Sequence, residues 1–263
     1  MHVSALAYYP IKSCGWTSVQ EAGLDDCGIV NDRRFLITDP DGMFKTQREH
    51  RGLARIQPQL EGDRLTVSAP DMEPLSIDAV PDGNRLQVQI FRSTCQAVDQ
   101  GDAMAEWLST YLKTPCRLVT MAPDFIRPVN PAFARHPEDR VAFADAYPFL
   151  LTTEASLDDL NARMATPLPM HRFRPNIVVA GATPYAEDHW HALKIGTVSF
   201  SNVKPCVRCV MTTLDQVTLE QGEEPLRTLA RYRRTGEGVI FGQNLIHLER
   251  GTIRVGDMVT VDV

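Results

Sequence analysis

The pattern of apolar and polar positions in the first third of the chain is typical of short strands. Residues 64–68 and 85–90 alternate polar and apolar side chains, as half-buried strands do. Residues 3–11 and 34–38 are apolar-rich runs, and the second leads into a turn at 39–42 that contains Pro and Gly. Several short strands separated by turns predict a small β-barrel or sandwich.

The period of the pattern changes in the middle of the chain. Between residues 102 and 112, apolar side chains recur at helical spacing with charges between them, which predicts a helix. A strand is expected at 116–121. The next segment, 122–140, carries four prolines and has no clear periodicity, so we expect either a domain junction or a functional loop there.

The second half of the chain mixes strand and helix patterns. A helix is expected from Thr153 or its neighbour through Leu160, because acidic residues occupy the early turns, where the helix dipole favours them. A second, shorter helix is expected at 225–233. Strands are expected at 147–152, at 176–180, in a hairpin at 193–200, at 238–248 and at 252–263. The whole pattern predicts an α+β protein that is predominantly β.

Length and charge limit the classes of function. The chain has 263 residues, of which 27 are Lys or Arg and 33 are Asp or Glu, so its net charge is −6. This balance gives no reason to expect binding to nucleic acid or to an anionic membrane. No apolar stretch reaches the roughly 18 residues of a membrane helix, and the N-terminus lacks the pattern of a secretory signal. We therefore expect a cytoplasmic protein with reduced thiols.

Two of the six cysteines, Cys206 and Cys209, form the one close pair in the sequence. Three ordinary interpretations are open: a zinc site completed by His189 and His191, a redox pair, or two buried free thiols. Zinc sites usually have tighter spacing, and the residues after the pair are poor helix formers, unlike those of a thioredoxin-like motif. Arg208 between the cysteines favours a thiolate, which suits a soft metal.

Three groups of residues have the chemistry to hold an anion. Lys12 and Ser13 lie at the end of a predicted strand, and arginines occur beside polar residues at 32–34 and at 172–176. Guanidinium groups can form two parallel hydrogen bonds to a phosphate. Taken singly, each group is better explained as ordinary surface charge or as a structural hydrogen bond.

Motifs in a fixed order along the chain resemble those of a known family. The order is PIKSCG, DRRFLITDPDG, ADAYPFLLTTEASLDDLN, FRPNIVVAG, YAEDHW, KPCVRCVMTTLD, GEEPLRTLARYR, FGQNL and GTIRVGDMV. Together they resemble the MOSC proteins, and among these they are similar to the mitochondrial amidoxime-reducing components and their bacterial counterparts. The resemblance covers essentially the whole chain. It implies a smaller N-terminal β-barrel-like domain with a few helices at 1–120 and a MOSC-type β-barrel domain at 121–263.

The resemblance also implies a cofactor and the residues that hold it. The family binds a molybdenum cofactor, and the second cysteine of its C-x-R-C segment, here Cys209, is the protein ligand of the metal. Cys206 is then a neighbour of that ligand. Further cofactor-binding residues implied by motif position are Lys12, Ser13, Arg34, Thr153, Arg174, Asn176, Val207 and Arg208. Because the pterin carries a phosphate, this assignment agrees with the three anion-holding groups.

Asp145 precedes the strand whose end would face the metal, and family members carry an acid there. We expect it to act in catalysis, either as a proton donor or by orienting water near the substrate. An equally simple interpretation is a capping or salt-bridged carboxylate.

The function implied by the resemblance is the reduction of N-hydroxylated compounds such as amidoximes, hydroxylamines and N-hydroxylated base analogues. The sequence contains no C-x4-C-x2-C run and no lysine context for pyridoxal phosphate, so we expect neither an iron–sulfur cluster nor that cofactor. The chain ends right after the predicted barrel, so electrons are expected from a separate ferredoxin-, flavodoxin- or cytochrome-type protein. The alternatives are a non-catalytic carrier of the cofactor or of sulfur that uses the same cysteine, and a structural zinc protein.

Overall fold

The computed structural model describes residues 1–262, and strands dominate it. In chain order the strands are β1 (His2–Tyr8), β2 (Thr17–Val19), β3 (Glu21–Asp25), β4 (Gly28–Ile29), β5 (Phe35–Thr38), β6 (Gln57–Glu61), β7 (Arg64–Ala69), β8 (Met72–Asp78), β9 (Arg85–Ile90), β10 (Ser93–Asp99), β11 (Arg117–Met121), β12 (Phe149–Thr153), β13 (Ile177–Ala180), β14 (Ala192–Ile195), β15 (Val198–Val207), β16 (Arg234–Thr235), β17 (Gly238–His247), β18 (Gly251–Arg254) and β19 (Val259–Asp262). The helices are α1 (Asp102–Leu112), α2 (Glu154–Ala162) and α3 (Leu226–Leu229), with 3-10 turns at Arg51–Arg55, Met170–Phe173, Ala186–His189 and Val210–Thr213. The expected fold class, α+β and predominantly β, is confirmed.

The strands form four sheets. The largest has the order β19-β14-β15-β17-β12-β13-β1-β2, with β16 paired to β17, and its pairs are antiparallel except β12 with β13. The other sheets are β5-β11-β10-β9, β18-β3-β4 and β6-β7-β8. Because β1 pairs with β13 and β3 pairs with β18, strand pairing crosses the division expected at residue 120.

Separate apolar cores lie under these sheets. The core of the largest sheet includes Phe149 and Phe200, whose rings meet edge to face at 5.3 Å between centroids. A second core packs α1 against β5 and β7 through Trp107, Ile37 and Leu65. Each large apolar side chain buried in this way stabilises the fold by about 1.5–3 kcal/mol.

Most of the expected elements are present with different bounds. The alternating runs at 64–68 and 85–90 lie in β7 and β9, and the helix expected at 102–112 is α1. The apolar pattern does not predict β6, β8 or β10, and the first two contain Pro58 and Pro74, which disfavour a strand assignment. The helix expected at 225–233 is only one turn long. Val263, the last residue of the strand expected at 252–263, lies outside the described residues.

The long segment without periodicity is a connection between the two halves of the chain. No helix or strand occurs between β11 and β12, that is, over residues 122–148. The segment therefore extends beyond the expected 122–140 and ends directly before the largest sheet. It carries Asp145 and Tyr147 to the cavity described below.

A buried hydrogen-bond network holds the start of α2. Thr153 is the N-cap, and its Oγ1 accepts a hydrogen bond from the Ser156 N–H at 3.2 Å, which confirms the expected cap. Thr153 Oγ1 also lies 3.1 Å from Glu187 Oε2, and Ser156 Oγ donates to Glu187 Oε1 at 2.7 Å. All three residues are fully buried. Burial raises the pKa of the Glu187 carboxyl, and the hydrogen bond from Ser156 opposes that rise.

Thr153→Ala removes both the helix cap and one partner of the buried Glu187 carboxyl. We expect the free energy of unfolding to fall by about 2 kcal/mol. Urea unfolding measures the change, and Thr153→Ser, which keeps the hydroxyl, should recover most of it. An alanine variant as stable as the wild type would contradict the role of this network.

Candidate functional site

A cavity of about 460 Å³ lies where the two halves of the chain meet. A space of this size accommodates a small organic ligand. Its walls carry seven basic side chains and one acidic side chain, which are Lys12, Arg33, Arg48, Arg172, Arg174, Lys204 and Arg208 against Asp145. Such an excess of positive charge in a concave site attracts anions.

Three residues on the cavity wall have left-handed backbone conformations. The φ angle is 69° at Ser13, 48° at Arg33 and 57° at Arg174. Residues other than glycine avoid this region, and strained residues concentrate at functional sites. The three turns lie after β1, before β5 and before β13, and each of them places a side chain on the cavity wall.

Arg33 and Arg174, with Tyr9 between them, form what we call the cationic floor. Each guanidinium carbon lies 4.2 Å from the centroid of the buried Tyr9 ring. Arg33 Nη1 donates to Asp32 Oδ2 at 2.5 Å and to Asn176 Oδ1 at 3.1 Å. Arg174 Nη1 instead donates to a carbonyl oxygen at 2.7 Å, and no carboxylate pairs with it within residues 1–262. Its positive charge is therefore available to a ligand.

Lys12 and Asp145 form an ion pair inside the cavity. The Lys12 side chain is buried, whereas water in the cavity reaches 75% of the Asp145 side chain. The surrounding cavity walls remove part of the water around the carboxylate, which by itself would raise the pKa of Asp145, but the Lys12 ammonium, with Arg33 and Arg174, lowers it to about 2. Asp145 is therefore ionised at neutral pH. This agrees with a role in orienting water and with the alternative of a salt-bridged carboxylate, and the catalytic role of Asp145 stays a prediction.

The cysteine pair lies at the end of β15. Cys209 is exposed and precedes a 3-10 turn, Cys206 is half-buried, and both line the cavity. Arg208 Nη1 donates to Cys206 Sγ at 3.0 Å, and Arg208 Nη2 donates to the carbonyl oxygen of Phe173 at 2.7 Å. The Nε of Arg208 is buried without a hydrogen-bond partner in the described part of the chain. This loop thus combines an exposed thiol with an unsatisfied donor.

Two of the alternative interpretations of the pair lack the required geometry. Over residues 1–262, no three His, Cys, Asp or Glu side chains are grouped as they would be around a metal ion. His189 and His191 therefore do not complete a Cys₂His₂ site. A thioredoxin-like motif opens an α-helix, whereas a single 3-10 turn follows Cys209.

The structure brings eight of the ten predicted site residues to this one cavity. They are Lys12, Ser13, Asp145, Arg174, Asn176, Val207, Arg208 and Cys209.

Arg34 and Thr153 do not line the cavity, so their positions lend no support to the prediction that they bind the cofactor. Arg34 donates to Asn31 Oδ1 at 3.2 Å and lines a different cavity. Its neighbour Arg33 faces the cationic cavity instead, because its left-handed backbone, with a φ of 48°, turns the chain between the two side chains. Thr153 is enclosed in the hydrogen-bond network of α2.

Some cavity residues are not assigned from the sequence. Arg33 and Arg172 belong to the anion-holding groups, but spacing alone does not say which of several neighbouring arginines faces a ligand. The aromatic residues of the cavity come from separate segments, and no local pattern marks them; they are Phe44, Phe91, Phe133, Tyr147, Phe149 and Phe173.

Comparison with known proteins shows to which protein family the chain belongs. A model of the MOSC N-terminal beta barrel domain matches residues 1–115, and a model of the MOSC domain matches residues 138–260. The chain therefore belongs to the MOSC protein family, which confirms the resemblance. Within the described 262 residues, no helix has the length and apolarity needed to cross a membrane.

Three curated relatives match almost the whole chain. Over 98% of its length, the chain is 38% identical to mitochondrial amidoxime-reducing component 1 of Mus musculus, and the match covers 81% of that protein. It is 37% identical to mitochondrial amidoxime-reducing component 1 of Homo sapiens, with 98% and 82% coverage of the two chains. It is 36% identical to mitochondrial amidoxime reducing component 2 of Rattus norvegicus, again with 98% and 82% coverage.

Asp145→Asn leaves the buried Lys12 ammonium without its anionic partner, so we expect lower stability at pH 7. The pKa of Asp145 is lowered from 3.8 to about 2 in the folded protein. The wild-type advantage is therefore complete above pH 3.8 and is lost as the pH falls through 2. Urea unfolding of both proteins at about pH 7, 4 and 3 should show a difference that shrinks at the lowest pH. A difference that does not change with pH would contradict the ion pair.

Proposed function

We propose that this protein is a molybdenum-cofactor-dependent reductase of N-hydroxylated compounds. One observation carries the proposal: in a chain of the MOSC family, the exposed Cys209 lies on a cavity with seven basic side chains and one acidic side chain. The relatives that match the chain are named for the reduction of amidoximes, which supports the choice of substrate class.

The cavity residues fit a cofactor that has a phosphate and a metal. A phosphate needs cations and hydrogen-bond donors, and no carboxylate in the described residues neutralises Arg174 or Arg208. The Nε atoms of Arg172 and Arg208 are buried without partners over residues 1–262, which is unfavourable unless a ligand accepts from them. Cys209 supplies the thiolate for the metal.

The proposal gives each residue a role. Cys209 holds the metal, and the pterin and its phosphate are held by Lys12, Ser13, Arg33, Arg174, Asn176, Val207 and Arg208. When bound, the cofactor supplies the two-electron chemistry that removes the oxygen from an N–OH group. Asp145, ionised and accessible to water, orients the N–OH group and the water that carries protons. Each turnover consumes two electrons and two protons and yields the N–H compound and water.

The electrons come, in this proposal, from a separate ferredoxin-, flavodoxin- or cytochrome-type protein. Val210, directly after Cys209 and outside the cavity lining, is 40% exposed. An exposed apolar residue beside a redox centre suits a small and transient contact with such a donor.

A carrier of sulfur or of the cofactor is the second candidate function. Arg208 Nη1 donates to Cys206 Sγ, so a second sulfur lies close to Cys209 and beside a cationic donor. A carrier would release its cargo to another protein and would have no turnover of its own.

Cys209→Ala tests the proposed metal ligand. With protein made in a host that supplies the cofactor, we expect the variant to lose molybdenum and at least about 99% of benzamidoxime reduction with an artificial electron donor. That loss follows because the metal loses its only protein ligand in the proposal. Mass spectrometry for metals and product analysis make the measurement, and Cys206→Ala is the matched control that should retain metal and activity.

The outcomes separate the candidate functions. Wild-type protein that holds zinc or no metal and reduces no benzamidoxime contradicts the reductase. Wild-type protein that holds the cofactor, reduces nothing and passes cofactor or sulfur to an acceptor favours the carrier.

Arg174→Gln tests the cation proposed to hold the cofactor, and Arg34→Gln is its matched control outside the cavity. Losing one charge-assisted hydrogen bond of about 1.5 kcal/mol should reduce cofactor content about tenfold in Arg174→Gln and leave Arg34→Gln unchanged. Fluorescence of the oxidised pterin measures the content, and thermal unfolding checks that both variants are folded. Equal cofactor content in the two variants would contradict the placement of Arg174.

A further inference from the structure

One side of the cavity is aromatic, and the roles proposed above leave it unused. Phe44 and Phe91 line the cavity and touch edge to face, with their ring centroids 4.8 Å apart. We call these two residues the aromatic wall. Both come from the first half of the chain, whereas Cys209 comes from the second.

Phe91 is exposed although it is a large apolar residue. It lies at the turn between β9 and β10 and is 45% exposed, and it lines the cavity. An exposed ring contributes little to the core, so its position calls for another reason. Exposed apolar residues at a concave site are typical of ligand contacts.

The backbone at Phe91 is in an unfavourable conformation. Its φ angle is 51°, in a hairpin turn where Gly, Asn or Asp is normally found. Gln89 Nε2 donates to the carbonyl oxygen of Phe91 at 2.7 Å, and Thr94 Oγ1 donates to Gln89 Oε1 at 3.0 Å. These bonds hold the turn, and with it the ring, in place. A strained residue held in this way at a cavity indicates a functional constraint.

The aromatic wall adjoins the ion pair of the cavity. Lys12 Nζ lies 5.4 Å from the centroid of the Phe91 ring, and the same ammonium is paired with Asp145. In the proposed function, Asp145 orients the N–OH group of the substrate. When the N–OH group of a substrate lies at Asp145, the substituent attached to that group lies beside the rings of Phe91 and Phe44.

We propose that the aromatic wall makes the protein prefer N-hydroxylated compounds whose reacting group is attached to a flat aromatic ring. This inference rests on the proposed function for the reacting group, but the ring contact itself requires no turnover. Aromatic rings in edge or offset contact attract one another beyond the area they bury. A small aliphatic substituent makes no such contact and gains less from binding.

Kinetics of Phe91→Asn with benzamidoxime and acetamidoxime test the preference. The KM for benzamidoxime is expected to rise about tenfold, with the KM for acetamidoxime and both kcat values unchanged. Asn accepts a positive φ readily, so the variant is expected to fold, with a thermal midpoint within about 2 °C of the wild type. Phe91→Tyr keeps the ring and should retain the wild-type KM. Ile126→Asn, at a residue that is 56% exposed and does not line the cavity, is the matched control.

Calorimetry without an electron donor measures binding when no reduction takes place. Benzamidoxime should bind about tenfold more weakly to Phe91→Asn than to the wild type, Phe91→Tyr or Ile126→Asn. Absent binding to the wild type, equal affinity in all four proteins, or an equal loss for both amidoximes overturns the aromatic wall. Wild-type protein that binds benzamidoxime in this way but reduces neither compound overturns the proposed function and supports the wall.

Discussion

Repulsion between like charges is the constraint around which the site is built. Two half-buried guanidinium groups, those of Arg33 and Arg174, face each other across a single tyrosine ring. Asp32 neutralises only the first of them. Burial, together with repulsion from Arg33, lowers the pKa of Arg174. An anion in the cavity relieves this repulsion, so a bound cofactor phosphate would stabilise the folded protein as well as complete the site.

Sheet topology brings these charges together. β1 and β13 are antiparallel neighbours, with Leu6 opposite Ile177, so the end of β1 lies beside the start of β13. Lys12 follows the first strand and Arg174 precedes the second, and strained turns at both places direct the chain toward one cavity. The site therefore forms only when β1, at the start of the chain, pairs with β13 in the second half.

Local patterns in the sequence account for part of this structure and not for the rest. The strand and helix periods predict β7, β9 and α1, and motif order singles out Cys209, the more exposed of the two thiols that line the cavity. The choice between Arg33 and Arg34 depends on a left-handed backbone angle, which adjacent arginines do not reveal. Likewise, the ionisation of Asp145 depends on Lys12, which is 133 residues away in the chain.

In the proposed assignment, one part of the cavity binds the cofactor and another part selects the substrate, and the Lys12–Asp145 pair lies between them. Tyr9, Arg174 and Cys209 lie next to strands of the largest sheet, whereas the aromatic wall includes the tip of the β9–β10 hairpin. That hairpin belongs to a different sheet and carries none of the seven basic residues. A change at its tip therefore alters the aromatic surface of the cavity without removing any of the charges that are proposed to hold the cofactor. Lys12 lies beside both parts of the cavity, because its ammonium pairs with Asp145 and lies 5.4 Å from the centroid of the Phe91 ring; in the proposed assignment it therefore links cofactor binding to substrate selection.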